Sequence, residues 1–179
     1  MRINVREILT KDITSISDYW LTSDPDFLLG MGADYKKLPK AESFSAMLLN
    51  QITSPFESKK SYALIWELDG LPIGHSNVNA IEFGEQAKMH LHIWRSNIRK
   101  KGMGTELVKK SLPFFFEKLQ LKKIICEPYA LNPAPNKTLE KVGFKFIKKY
   151  RTIPGAINFE QEVNRWELTK KQFQNLKNK

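Results

Sequence analysis

RKKGMGTELVKK (residues 99–110) is the stretch on which the fold turns. Gly102 and Gly104 sit one residue apart, after three cations and just before an apolar run of helical period. A strand, a cationic glycine turn and a helix together can hold a phosphate. The first N–H groups of a helix lack intrahelical partners, and the helix dipole favours an anion there. Glycine removes the Cβ that would keep a ligand off the main chain. A plain basic loop entering a helix is the competing reading. Two phosphate turns are excluded by residue identity. A dinucleotide fingerprint needs a third glycine where Leu107 stands, and a nucleoside-triphosphatase loop ends in Gly-Lys-Ser or Gly-Lys-Thr, which this sequence lacks. What remains is Arg99-x-x-Gly102-x-Gly104.

Upstream, KMHLHIW (residues 88–94) alternates, with Met89, Leu91 and Ile93 on one side and His90, His92 and Trp94 on the other. Two strand-like runs before it flank Asp69-Gly70, a hairpin signal. RINVREI (residues 2–8) reads as a first strand. Ile13, Ile16 and Trp20 share one helical face, and so do Phe44, Met47, Leu48 and Ile52. Between these helices, residues 23–39 read as irregular, broken by Gly30, Gly32 and Pro39.

Downstream, Leu107, Val108, Ser111, Leu112, Phe115 and Leu119 form a helical face, in which Pro113 should kink or break the helix. LKKIICEPY (residues 121–129) reads as a buried strand. NPAPNKTLEKVGF (residues 132–144) reads as a helix with Asn132 as N-cap, Pro133 at the first position and Gly143 past the end. Two antiparallel strands and a fraying helix close the chain. The class is α/β within a single domain, residues 1–179.

The chain has 29 Lys and Arg against 19 Asp and Glu, a net charge of +10. Residues 1–95 carry 10 basic and 12 acidic side chains, and residues 96–179 carry 19 and 7. The excess therefore lies in the second half, where it suits an anionic partner or a solvated lysine-rich face. One cysteine, Cys126, excludes an intrachain disulfide, and a cytoplasmic setting is expected. The first residues lack a signal-peptide core, and no run reaches transmembrane length.

The Arg-x-x-Gly-x-Gly turn between strand and helix resembles the acetyl-coenzyme A signature of the GCN5-related N-acetyltransferases (GNAT). Thirty residues on, Asn132, Glu140, Lys141, Gly143 and Phe144 resemble the family's second motif, with Pro135 where serine is common. The variant is similar to the branch of ribosomal-protein alanine acetyltransferases. The resemblance covers residues 62–168 as an acetyl-CoA-binding core, leaving residues 1–60 to the acceptor side and 169–179 as a tail. It implies a mixed, mostly antiparallel sheet, flanked by helices and splayed between strands 4 and 5, with acetyl-CoA in the opening as acyl donor and no metal.

The resemblance also assigns roles. The diphosphate meets Arg99 and the N–H groups of Lys101, Gly102, Met103, Gly104 and Thr105. Main-chain N–H groups of His92, Ile93 and Trp94 hold the thioester oxygen. Asn132 and Asn136 suit the pantetheine, and Lys100, Lys101 and Lys137 the outer phosphate. Asn132 also serves as a plain N-cap, and the lysines as solubilising charge. The implied reaction is direct attack of a neutral amine on acetyl-CoA, which needs a general base because an amine of pKa near ~10.4 is mostly protonated at neutral pH. His90 and His92 are the candidates, with packed strand histidines as the alternative, and Glu82, Glu85 and Glu127 are in reserve. The tyrosine that many members use as general acid is replaced by Leu139, with Tyr129 and Tyr150 nearby.

The acceptor, a small-molecule amine or a protein N-terminal amine, should meet residues 20–56 and the loop near 150–160. Asp24, Asp26, Asp34 and Glu42 there suggest a cationic acceptor. A homodimer is one assembly open to the chain, and no membrane partner is expected. A CoA-binding protein without turnover and a nucleic-acid module are the alternatives, the latter lacking any helix-turn-helix, zinc or RNA-binding signature.

Overall fold

The computed structural model describes residues 2–95, 98 and 102–177. Seven strands form one sheet in the order β1-β2-β3-β4-β5-β7-β6. They are β1 (Ile3–Glu7), β2 (Ser61–Leu68), β3 (Leu71–Glu82), β4 (Gln86–Ile93), β5 (Lys123–Cys126), β6 (Lys145–Thr152) and β7 (Gln161–Thr169). All neighbours are antiparallel except β4 and β5. The Asp69-Gly70 turn pairs Leu68 with Leu71. Between the strands lie α1 (Ile13–Leu21), α2 (Pro25–Gly30), α3 (Ala41–Thr53), α4 (Met103–Lys118) and α5 (Pro133–Val142), and α6 (Lys170–Lys177) follows β7. Among the described residues, no helix is long and apolar enough to cross a membrane.

Strand alternation sends side chains to two cores. Leu64, Trp66, Val78 and Met89 meet Leu107, Val108, Leu112 and Phe115 of α4 on one face. Ala63 and Ile65 meet Ile16 of α1 and Leu48 of α3 on the other. The opening described below lies on the second face, so α1 and α3 build its wall.

Three expectations are corrected. The segment taken as irregular contains α2, because Asp24 accepts the N–H groups of Asp26 (2.8 Å) and Phe27 (3.2 Å), Pro25 fills the first position and Leu28 is buried. Helix α4 runs on through Pro113. An interior proline costs about 3 kcal/mol. Leu112, Phe115 and Phe116 are almost fully buried around it, at about 1.5–3 kcal/mol each, which outweighs that cost. The terminal helix is docked, since Phe173 stacks on Phe116 with ring centroids 4.8 Å apart.

Candidate active site

Strands β4 and β5 pair only at Gln86–Lys123, Ala87–Ile124 and Lys88–Ile125, although β4 continues to Ile93. The reason lies after Cys126. There the chain turns to β7: Asn164 N–H donates to the Pro128 carbonyl (3.1 Å), Ala130 N–H to the Glu162 carbonyl (2.9 Å), and Tyr129 bridges Val163. The two strands therefore diverge, and a cavity of about 520 Å³ occupies the opening. His90 and His92 line it from β4, Tyr129 and Asn132 from the other side.

The alternation read in KMHLHIW holds. Met89, Leu91 and Ile93 pack towards α4, and Trp94 packs with α1 and α3. His92 is edge-on to Trp20 (4.8 Å between centroids), and its Nδ1 lies 3.3 Å from the Tyr19 hydroxyl. His90 Nε2 lies 3.0 Å from Asn79 Oδ1. With Nε2 donating to that oxygen, Nδ1 keeps the basic lone pair.

His75 was not singled out from the sequence, yet all three histidines of the chain line this cavity. The signal was register: His75 of β3 sits opposite His92 and Asn77 opposite His90. Trp94 Nε1–H donates to His75 Nδ1 (2.7 Å), so His75 is neutral with its proton on Nε2. Burial pushes the His75 pKa down to about 3 and that of His90 down to about 4, and holds His92 well below the ordinary value. Neighbouring His90 adds to the effect on His75, and Lys88 adds to that on His90. All three imidazoles are uncharged at neutral pH.

Trp94 N–H donates to the Ile73 carbonyl of β3 (2.9 Å), which corrects its expected place among the thioester donors. Alternation along the antiparallel ladder directs the N–H groups of His92 and His90 at β3 as well. The N–H groups of Ile93 and Leu91 alternate with these and point away from β3. Of the predicted turn, Arg99, Lys100 and Lys101 lie outside the described residues. Gly102 caps α4 in the left-handed conformation (φ 75°), and a Cβ there would meet no atom within 4 Å. Met103 turns its side chain into the core, and Gly104 faces Thr138 of α5 across 3.6 Å from its would-be Cβ.

Asn132 caps α5 as expected, accepting Ala134 N–H at 3.4 Å, and reaches the cavity. Asn136 is corrected. Its Nδ2 donates to the carbonyls of Asn132 (2.8 Å) and Tyr129 (3.2 Å), and its Oδ1 accepts from Trp166 Nε1 (2.8 Å) and Asn164 Nδ2 (2.9 Å). Every donor and acceptor of the amide is used, so none is left for a ligand. Lys137 is exposed. Leu139 is buried between α4 and α5, and Tyr129 is the tyrosine that reaches the cavity. Tyr150 donates instead to Glu127, whose carboxylate also pairs with Lys88 (2.7 Å) and Arg165 (3.0 Å). These cations hold the Glu127 pKa below the usual range, and Glu85 pairs with Lys122 (2.5 Å) at the surface. Glu82 accepts from Gln86 (2.9 Å). None of the three is placed as a free base. Burial raises the Cys126 thiol pKa well above its ordinary value, leaving it protonated.

The wall opposite β5 comes from Ile16, Trp20, Met31, Phe44, Met47 and Leu48, with Pro154 and Ile157 from the β6–β7 loop. These are the segments expected to meet an acceptor. The acidic residues expected with them are elsewhere: Asp24 caps α2, Asp34 accepts Lys36 N–H (3.0 Å), and neither Asp26 nor Glu42 lines the cavity.

The sequence matches the acetyltransferase (GNAT) domain over residues 2–145. No curated protein matches it by sequence. Among solved structures, it is similar to a spermidine N-acetyltransferase from Vibrio cholerae in complex with CoA and spermine (18% identity, 97% of this chain and 98% of that chain, TM-score 0.77). It is also similar to the aminoglycoside acetyltransferase AAC(6')-Ib in complex with coenzyme A and kanamycin (16% identity, 97% and 98%, TM-score 0.74).

Proposed function

This chain belongs to the GNAT acetyltransferase family, and from that premise we propose that it transfers an acetyl group from acetyl-CoA to a primary amine by direct attack in a ternary complex. The observation that carries the reading is the opening beyond Lys88–Ile125, lined by His90 and His92 on one side and by Tyr129 and Asn132 on the other. The diphosphate is held by the N–H groups of Gly102, Met103, Gly104 and Thr105, with Arg99, Lys100 and Lys101 supplying positive charge and Lys137 an outer contact. Asn132 meets the pantetheine. The N–H groups of Ile93 and Leu91 face the acetyl oxygen, where negative charge grows as the amine attacks. His90 or His92 accepts the amine proton, directly or through water. Tyr129, which lines the cavity, returns a proton to the departing thiolate.

At pH 7 each imidazole is neutral, with one ring nitrogen protonated and the other carrying the lone pair a base needs, though its lowered pKa makes it a weak base. A CoA-binding protein without turnover is the second reading, favoured by Leu139 alone. A thiol-release assay over an amine panel, with calorimetry of acetyl-CoA binding, separates them. Thiol release that depends on the amine supports transfer. Binding with no release for any amine supports the second reading, and no binding overturns both.

A further inference from the structure

We infer that the acceptor is a primary amine on an apolar body that carries no second cationic centre. The inference rests on the acetyl-transfer reading and names the substrate class of that site.

The acceptor wall is apolar from three directions: Trp20 of α1, Phe44 and Met47 of α3, and Ile157 of the β6–β7 loop. Its floor is a polar but uncharged stripe, where His75 and Asn77 of β3 face His92 and His90 of β4. The wall is closed by a strap. Asp34 N–H donates to the Ile157 carbonyl (2.8 Å), and Asn158 Nδ2 and Gln161 Nε2 both donate to the Gly32 carbonyl (2.8 and 2.7 Å). The amide nitrogens of the strap thereby donate to main chain.

A polycation would need carboxylates, and the cavity offers none that is available. Its only acidic lining residue is Glu127, whose carboxylate is shared by Lys88 and Arg165. All 19 acidic residues of the chain lie among the described residues, and Glu127 alone of these side chains lines the cavity. The further charge at the cavity is positive: Lys37, whose Nζ donates to the Asn158 carbonyl (2.8 Å). An extra ammonium group entering this space loses water and gains no counter-ion, which is costly. An alkyl or aryl body gains from the same walls.

The test compares hexylamine and 2-phenylethylamine with spermidine and kanamycin, at saturating acetyl-CoA and equal ionic strength. The expected result is a kcat/KM at least about tenfold higher for the monoamines, since each stranded charge costs well over the ~1.4 kcal/mol of a tenfold change. Met47→Glu, which puts a carboxylate on the wall, should shift the ratio about tenfold towards spermidine. A wild-type preference for spermidine or kanamycin overturns the inference while leaving acetyl transfer standing. Should no amine release thiol, acetyl transfer falls. Calorimetry on the CoA complex then decides the pocket: tighter hexylamine than spermidine supports its assignment, and the reverse order overturns it.

Discussion

His75 stacks on His92 across the β3–β4 ladder, with ring centroids 4.6 Å apart and planes inclined by 24°. The arrangement suits two neutral rings, and Trp94 fixes one of them by donating to His75 Nδ1. In the unfolded chain these histidines titrate near ~6.5. In the fold they do so lower, at about 3 for His75 and about 4 for His90. The unfolded state therefore binds more protons below pH ~6.5, and stability falls with pH from there. The benefit is complete above the unfolded value and lost as pH drops through the folded ones. Each neutral histidine contributes a slope of about 1.4 kcal/mol per pH unit in that window. Urea unfolding at pH 7, 6 and 5 should show it. His75→Asn, whose amide oxygen can still accept from Trp94, should reduce the slope by one histidine's share. An unchanged slope would refute a neutral His75.

The same depression sets the pH dependence of turnover. A base already neutral at pH 5.5 adds no break near pH 6.5. The rate kcat/KM should rise about tenfold per pH unit from 5.5 to 8.5, tracking only the free amine. His90→Gln or His92→Gln, whichever removes the base, should lower kcat/KM by about 10²–10⁴-fold without weakening acetyl-CoA binding. A wild-type break near pH 6.5 that disappears in either variant would show that its imidazole titrates normally.

How much of this was legible in the sequence follows from the range of each signal. The β4 alternation and the α5 caps are local, and each reads correctly from its own residues. Helix α2 is also local, but its Asp24-Pro25 start was hidden by the glycines that end it. His75 was invisible because its meaning comes from register with His92, 17 positions away. Asn136 misled for a related reason: a motif position suggests a ligand contact, whereas Trp166 and Asn164 approach it only in the folded sheet. The acidic residues near the N terminus misled because charge in a segment says nothing of direction. Asp24 accepts the N–H groups of Asp26 and Phe27, and Asp34 that of Lys36.

The glycine turn predicts opposite effects on stability and binding. Gly104 lies within α4, and a Cβ there meets Thr138 at ordinary contact distance. Gly104→Ala should therefore raise stability by up to about 1 kcal/mol, by helix propensity. It should also weaken acetyl-CoA binding by calorimetry, because the methyl group stands beside the N–H groups assigned to the diphosphate. Gly102→Glu should lower stability by about 1–2 kcal/mol, since its left-handed φ disfavours a side chain. Its carboxylate would bring negative charge to the turn assigned to the diphosphate and remove measurable binding. Undiminished acetyl-CoA affinity in both variants would dissociate the turn from the donor.

Asn136 gives the sharpest division between a structural and a ligand-binding role. It joins α5 to Trp166 and Asn164 of β7 and to the carbonyl of Tyr129, the tyrosine at the cavity. Asn136→Ala leaves the largely buried Trp166 indole N–H without its partner, while the Tyr129 carbonyl keeps the Asn132 N–H (3.0 Å). An unsatisfied buried group of this kind costs about 1–3 kcal/mol. Asn136→Asp keeps the one oxygen that accepts from Trp166 and Asn164 but puts a charged oxygen in place of the donor towards the Asn132 and Tyr129 carbonyls. Both variants should lose stability in urea unfolding, and both should lower kcat more than they raise the Kd for acetyl-CoA, because Tyr129 shifts while the turn at Gly102 does not. A pantetheine contact would give the opposite pattern: unchanged unfolding free energy with weaker acetyl-CoA binding.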